Sequence, residues 1–173
     1  MIYVNPRLVA DGYRPRFEES STPNDVVVFP GELIERVGMV HGHSDVAVPE
    51  PYVQFIVAGA RGLRTWRNGA PDPFGWMVYS WTDAVALANA EYERVLTPDQ
   101  DVPEEEQQGD LASLRKWGFW LPIGASSDRH DHFLCCDRRQ KCFGEVVDCN
   151  DGGPAYGLVR DARWKGFAEY IRG

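Results

Sequence analysis

The stretch from Asp128 to Cys149, DRHDHFLCCDRRQKCFGEVVDC, holds all four cysteines of the chain and two of its four histidines. Thiolates and imidazoles ligate zinc, and paired thiols carry redox chemistry. Spacing separates these uses from plain packing. A zinc knuckle needs two close cysteines paired with a second such set. Here Cys135 and Cys136 are adjacent, and Cys142 and Cys149 follow at wide intervals. Strand alternation would put His130, His132, Leu134 and Cys136 on one face, and Asp131, Phe133, Cys135 and Asp137 on the other. Adjacent cysteines then point to opposite faces and cannot chelate one ion. The expectation is reduced cysteines that pack as small hydrophobes, with no metal or other cofactor. His130 and His132 read as surface histidines near a strand end. With an acid from elsewhere they could instead hold a metal.

Other chemistry-bearing patterns are sparse. HGHSD (His41–Asp45) offers acid-base groups, but as a polar, glycine-containing loop. There is no P-loop, no G-x-G-x-x-G, no G-x-S-x-G and no H-E-x-x-H. Six carboxylates and no base lie between Asp99 and Asp110. Nothing in that stretch would hold two of them at a catalytic separation. Residues 97–110 read as a solvated acidic loop. The expectation is a protein that is not an enzyme, with His41, His130 or His132 as the residues of the competing enzyme or metal reading.

The elements that would carry these residues follow from periodicity. Residues 1–30, with Pro6, Pro15 and Pro23, read as an irregular N-terminal extension, and residues 31–173 as one domain. VVVF (Val26–Phe29) reads as a short strand or docking segment. Leu33, Ile34 and Val37 give a short helix that ends near Gly38. Pro49 and Pro51 lead into a helix carrying Tyr52, Phe55 and Ile56. Strands are expected near Leu63–Arg67 and Trp76–Tyr79, with turns at Asn68-Gly69 and Pro71–Gly75. Thr82 or Asp83 would cap a helix bearing Val85, Leu87 or Ala88, Tyr92 and Val95. LASLRKWGFWLPIGAS starts with one helical turn and then runs extended through Phe119–Ile123. HDHFLCCD and FGEVVDCN form a strand pair with RRQK at its tip. LVRDAR gives the last strand, and a closing helix turns Trp164, Phe167, Ala168 and Ile171 inward. Helices come first and strands later, so the fold class is α+β with a mainly antiparallel sheet.

Size and composition suit one globular domain: 173 residues, 43% hydrophobic and 12% aromatic. The net charge of −8 disfavours direct nucleic-acid binding and suits a basic protein partner. No apolar run near the start is long enough for a secretory signal, and none approaches the ~20 residues of a membrane span. The expected location is the cytoplasm, without membrane contact.

The order of these features resembles a known family. ELIERVG followed by VPEPYVQFIVAGARG is similar to the helices that open SUKH-superfamily domains. MVYSWTDAVALANAEYERV resembles that family's short strand, cap and helix. WGFWLPIGASSDRHDHFLCCD resembles its W…P-G…D strand block, CFGEVVDCND its next strand, and WKGFAEYI its closing helix. Together they cover roughly residues 31–172. Ala60-Arg61-Gly62 stands where the family has Asn-Gly, and Lys165-Gly166 where it has a serine. The resemblance implies a curved antiparallel sheet backed by helices. It also implies a cytoplasmic immunity protein of a polymorphic toxin system, which binds the toxic domain of a secreted effector encoded by a neighbouring gene and occludes it stoichiometrically. The alternative within the family is an intracellular scaffold or regulator without a toxin partner. Candidate partner contacts are Asp99, Asp101, Glu104, Glu105 and Glu106, with Trp66 and Trp76 beside the turn-rich segment. Structural roles are expected for Tyr52, Phe55, Trp117, Phe133, Gly144 and Phe167.

Overall fold

The computed structural model describes residues 14–19, 27–57, 60–67, 70–71, 77–126, 130–150 and 160–172. In chain order, the strands are β1 (Arg14–Glu19), β2 (Ala60–Arg67), β3 (Ala70–Pro71), β4 (Met77–Val78), β5 (Trp120–Ser126), β6 (His130–Cys135), β7 (Val146–Asn150) and β8 (Arg160–Trp164). The helices are α1 (Gly31–His41), α2 (Glu50–Val57), α3 (Trp81–Leu96), α4 (Glu104–Trp117) and α5 (Phe167–Arg172). The strands form one sheet in the order β1-β2-β4-β5-β6-β7-β8, with β3 attached to β2. Every pairing is antiparallel. The fold is α+β.

Each helix buries one apolar stripe on the same side of the sheet. Leu33, Val37 and Val40 of α1 are buried, as are Tyr52 and Ile56 of α2. From α3 come Trp81, Ala84, Val85, Ala88, Tyr92 and Val95, and from α4 Leu114. They meet Leu121, Ile123, Leu134, Cys136 and Val146 of the sheet region, with Phe167, Tyr170 and Ile171 of α5 closing the core. A second, smaller cluster sits on the other side: Trp120, Phe133, Cys135, Cys142, Val147 and Cys149, with Trp117 against it. The alternation expected for β6 therefore holds. Leu134 and Cys136 join one core, and Phe133 and Cys135 the other.

Several expectations are corrected. Arg14–Glu19 is not irregular but pairs with β2 as the edge strand. Val27–Phe29 forms no strand, and the docking alternative holds: Phe29 is buried against Trp81 and Phe119 at 5.5 and 5.3 Å between ring centroids. Gly38 does not end α1, because Val40 extends the apolar stripe by three residues. Gly42, at φ 71°, ends it, its N–H donating to the Gly38 carbonyl. The cap of α3 is Ser80, whose Oγ accepts from the Asp83 N–H at 3.1 Å. The acidic loop at 97–110 is a helix from Glu104 onward. Glu104, Glu105 and Glu106 fill the first turn of α4, and Arg115 and Lys116 its last, which is the charge order that the helix dipole favours.

The residues expected to be structural behave so. Tyr52 and Phe167 are buried in edge-to-face contact at 4.8 Å. Phe55 packs on the same ring, at 5.0 Å. Gly144 has φ 84°, a conformation that side-chain-bearing residues rarely adopt. RRQK lies in the turn-rich connection after β6, where Arg138 and Arg139 are exposed.

Candidate functional site

β4 has only two residues. It pairs with Ala125 and Gly124 of β5, then the chain leaves the sheet at Tyr79 and enters α3 at the Ser80 cap. Tyr79 still donates its N–H to the Ile123 carbonyl at 2.8 Å. The first residues of β5 thus lie beyond the reach of β4. Pro122, which has no N–H to leave unpaired, sits there.

A groove of about 210 Å³ opens at this junction. Leu87, Ala88, Glu91 and Tyr92 of α3 form one wall, with Leu114 of α4 beside them. Trp120 and Pro122 of β5, and Asp131 and Phe133 of β6, form the other, and Tyr79 completes it. Its volume falls below the ~300–1,000 Å³ of small-molecule sites. It suits one side chain better than a cofactor.

Two carboxylates face this aromatic lining. Both Glu91 oxygens are held by Arg94, at 3.1 and 3.2 Å, and Arg94 also reaches Asp110 Oδ2 at 2.9 Å. One guanidinium is thus shared between two carboxylates, and that wall keeps a net negative charge. Asp131 is half-buried, and its carboxylate makes no hydrogen bond or salt bridge with the described residues. Burial, and then the neighbouring Asp148, raise its pKa, with His130 opposing. The Tyr79 hydroxyl is pushed up as well, by burial and then by Asp131 and Asp83. The described lining of the groove holds no Lys, Arg or His.

The candidate contacts from sequence are spread out. Asp99, Asp101, Glu104, Glu105 and Glu106 are exposed, and α4 joins their end of the molecule to the groove through the Asp110–Arg94–Glu91 chain. Trp66 lies on β2, opposite Arg14 and Pro71; its side chain and all of Trp76 fall outside the described residues. Tyr79, Glu91 and Asp131 were missed by sequence reasoning. They come from three separate elements, and no local spacing links them.

The HGHSD loop is built into the fold. His41 Nε2 lies 2.6 Å from Tyr92 Oη. Burial, the largest influence, lowers the His41 pKa to about 4, Asp137 opposing. His43 Nε2 is 3.5 Å from Asp137 Oδ2. Asp137 is fully buried; its Oδ1 accepts from the Arg139 N–H at 2.9 Å. The Arg138 N–H donates to the Asp45 carbonyl and Ala47 N–H to that of Cys136. These bonds latch the end of α1 to the turn after β6.

His130 and His132 are not the surface pair expected. His132 is 2% exposed, its Nδ1 2.7 Å from Tyr170 Oη, and His130 lies on Asp148 at 2.8 Å. A strand-end position predicts exposure, but Tyr170 of α5 packs on His132. All four cysteines are buried thiols outside any disulfide. Cys142 Sγ is 3.5 Å from Cys135 Sγ, a contact the sequence reading did not anticipate. Among the described residues no group of three or more His, Cys, Asp or Glu is placed to hold a metal ion.

No described helix is long and apolar enough to cross a membrane. No family model, curated protein or solved structure matches the chain.

Proposed function

We propose that this chain is a SUKH-type immunity protein: a cytoplasmic inhibitor that binds the toxic domain of a secreted effector and blocks it one to one. The observation that carries the reading is the acid-bearing aromatic groove at the β4–α3 junction, in a chain of net charge −8. Aromatic side chains with a small polar complement are the usual anchors of protein interfaces. Excess negative charge would speed encounter with a cationic partner and make it salt-sensitive. The order of elements also agrees with the family resemblance. Two helices, α1 and α2, come before the strand–helix unit of β4 and α3, and after α4 follow four sheet strands and a closing helix.

The exposed acids Glu104, Glu105 and Glu106 extend the negative surface along α4. Asp99 and Asp101 add to it ahead of the helix. In this reading the groove anchors the toxin and the α4 acids guide its approach.

The test is co-expression with the toxic domain encoded by the neighbouring gene. Cells carrying both should grow, and cells carrying the toxic domain alone should not. Death in both cases, or a neighbouring product that is harmless by itself, contradicts the reading.

A further inference from the structure

We infer that the groove between α3 and the β5–β6 strands is a binding site for one arginine side chain, with Asp131 as its counter-charge and Tyr79, Trp120 and Phe133 as its walls. The proposal deepens the function above and rests on it only for the identity of the protein that brings the arginine.

Charge comes first. Glu91 and Asp131 line the groove, and its described lining contains no Lys, Arg or His. Arg94 lies behind Glu91 and is already divided between Glu91 and Asp110. Asp131 keeps a half-buried carboxylate with no hydrogen bond or salt bridge to the described residues. A carboxylate in that position gains most from a cation that arrives with donors of its own.

Shape and surface choose among cations. The lining is mostly aromatic and aliphatic, which a strongly hydrated ammonium matches poorly. A guanidinium is flat, weakly hydrated, and stacks on aromatic faces while its edge bonds a carboxylate. The walls are also fixed in advance. Trp120 donates its indole N–H to the Trp117 carbonyl at 2.8 Å, and Phe133 belongs to the second core cluster. Asp131 is held on β6 by pairing with Ala125 on one side and Cys149 on the other. A site of fixed walls loses little freedom when it is filled.

The experiment titrates three small probes into the whole chain: Nα-acetylarginine amide, Nα-acetyllysine amide and Nα-acetylcitrulline amide. Citrulline has nearly the outline of arginine without its charge. Resonances of the Trp120 indole, the Tyr79 ring and the Asp131 amide report occupancy. The arginine probe should move them saturably at millimolar concentration, with citrulline at least roughly tenfold weaker and lysine in between. Asp131→Asn should weaken the arginine probe by roughly tenfold while leaving remote resonances in place. Citrulline binding as well as arginine overturns the proposal, and needs no variant to be seen. So do shifts that map elsewhere, or an Asp131→Asn protein that binds as the wild type does. Lysine binding as tightly as arginine overturns the assignment to a guanidinium. The two readings fail separately. If the probe binds but the neighbouring toxin is not blocked, the immunity function falls and the site stands. If the toxin is blocked but the probe does not bind, the site falls and the function stands.

Discussion

His132 and Tyr170 are joined across the sheet–helix boundary, imidazole Nδ1 to phenol oxygen at 2.7 Å, with both side chains buried. Burial, and then the neighbouring His130, lower the His132 pKa to about 4 from an ordinary 6.5. The folded chain thus keeps this histidine neutral where the unfolded chain protonates it. Between pH 6.5 and 4 the unfolded state binds the extra proton, so stability falls as pH falls through that window. Above it His132 adds no slope. The effect at pH 5 is about 2 kcal/mol, from a gap of roughly 1.5 pH units at 1.36 kcal/mol each. His41, also lowered to about 4, acts in the same direction, while the raised Asp131 opposes. Urea unfolding at pH 7 and pH 5 should show the loss, and His132→Gln should flatten the slope. A slope that His132→Gln leaves untouched would remove this histidine from the account.

Two glycines should respond oppositely to alanine. Gly38 lies inside α1 with open space where a Cβ would stand. Gly38→Ala should stabilise the chain by about 0.5–1 kcal/mol, through helix propensity alone. Gly118 ends α4 at φ 79°, and a Cβ there would come within 2.6 Å of Asp137 Oδ2. Gly118→Ala should destabilise by about 1–3 kcal/mol, combining backbone strain and overpacking. Midpoints of thermal or urea unfolding decide both signs.

The Tyr52 hydroxyl is buried without a hydrogen-bond partner among the described residues, while its ring packs between Phe167 and Trp81. Tyr52→Phe keeps the ring and removes the unsatisfied group. It should be neutral or stabilising by up to about 1–2 kcal/mol, whereas Tyr52→Ala should cost about 3–5 kcal/mol. A clear loss of stability in Tyr52→Phe would mean that the hydroxyl has a partner in solution.

Cys135, Cys136, Cys142 and Cys149 are all buried, and burial pushes the Cys136 thiol up. Cys135 is pushed up first by its hydrogen bond with Cys142, and then by burial. Native protein should react very slowly with a maleimide, and unfolded protein should take up four equivalents. Rapid native labelling of any of the four would contradict the packing described for the second core cluster.

What was legible in the sequence is the part written by short-range period. The alternation of β6 split Cys135 from Cys136 correctly, because a half-buried strand repeats every two residues. The stripes of α2 and α3 were readable for the same reason at helical spacing. The helix α4 was hidden because its first turns are Glu-rich and polar, with only Leu111, Leu114 and Trp117 to face inward. Its signal was electrostatic: acids at the start, and Arg115 and Lys116 at the end. β1 was hidden because its partner β2 lies some forty residues away, and no local turn joins them. The groove was invisible because Tyr79, Glu91 and Asp131 meet only after the sheet has formed.

The proposed function is a stoichiometric, charge-guided grip on a toxic domain. The most direct measurement mixes this chain with the purified toxic domain from the neighbouring gene and follows complex formation and toxin activity together. The expected result is a one-to-one complex in which activity falls in step with occupancy, and an association rate that drops as salt screens the acidic surface. A mixture that forms no complex, or a complex in which the toxin keeps its full activity, would contradict the account.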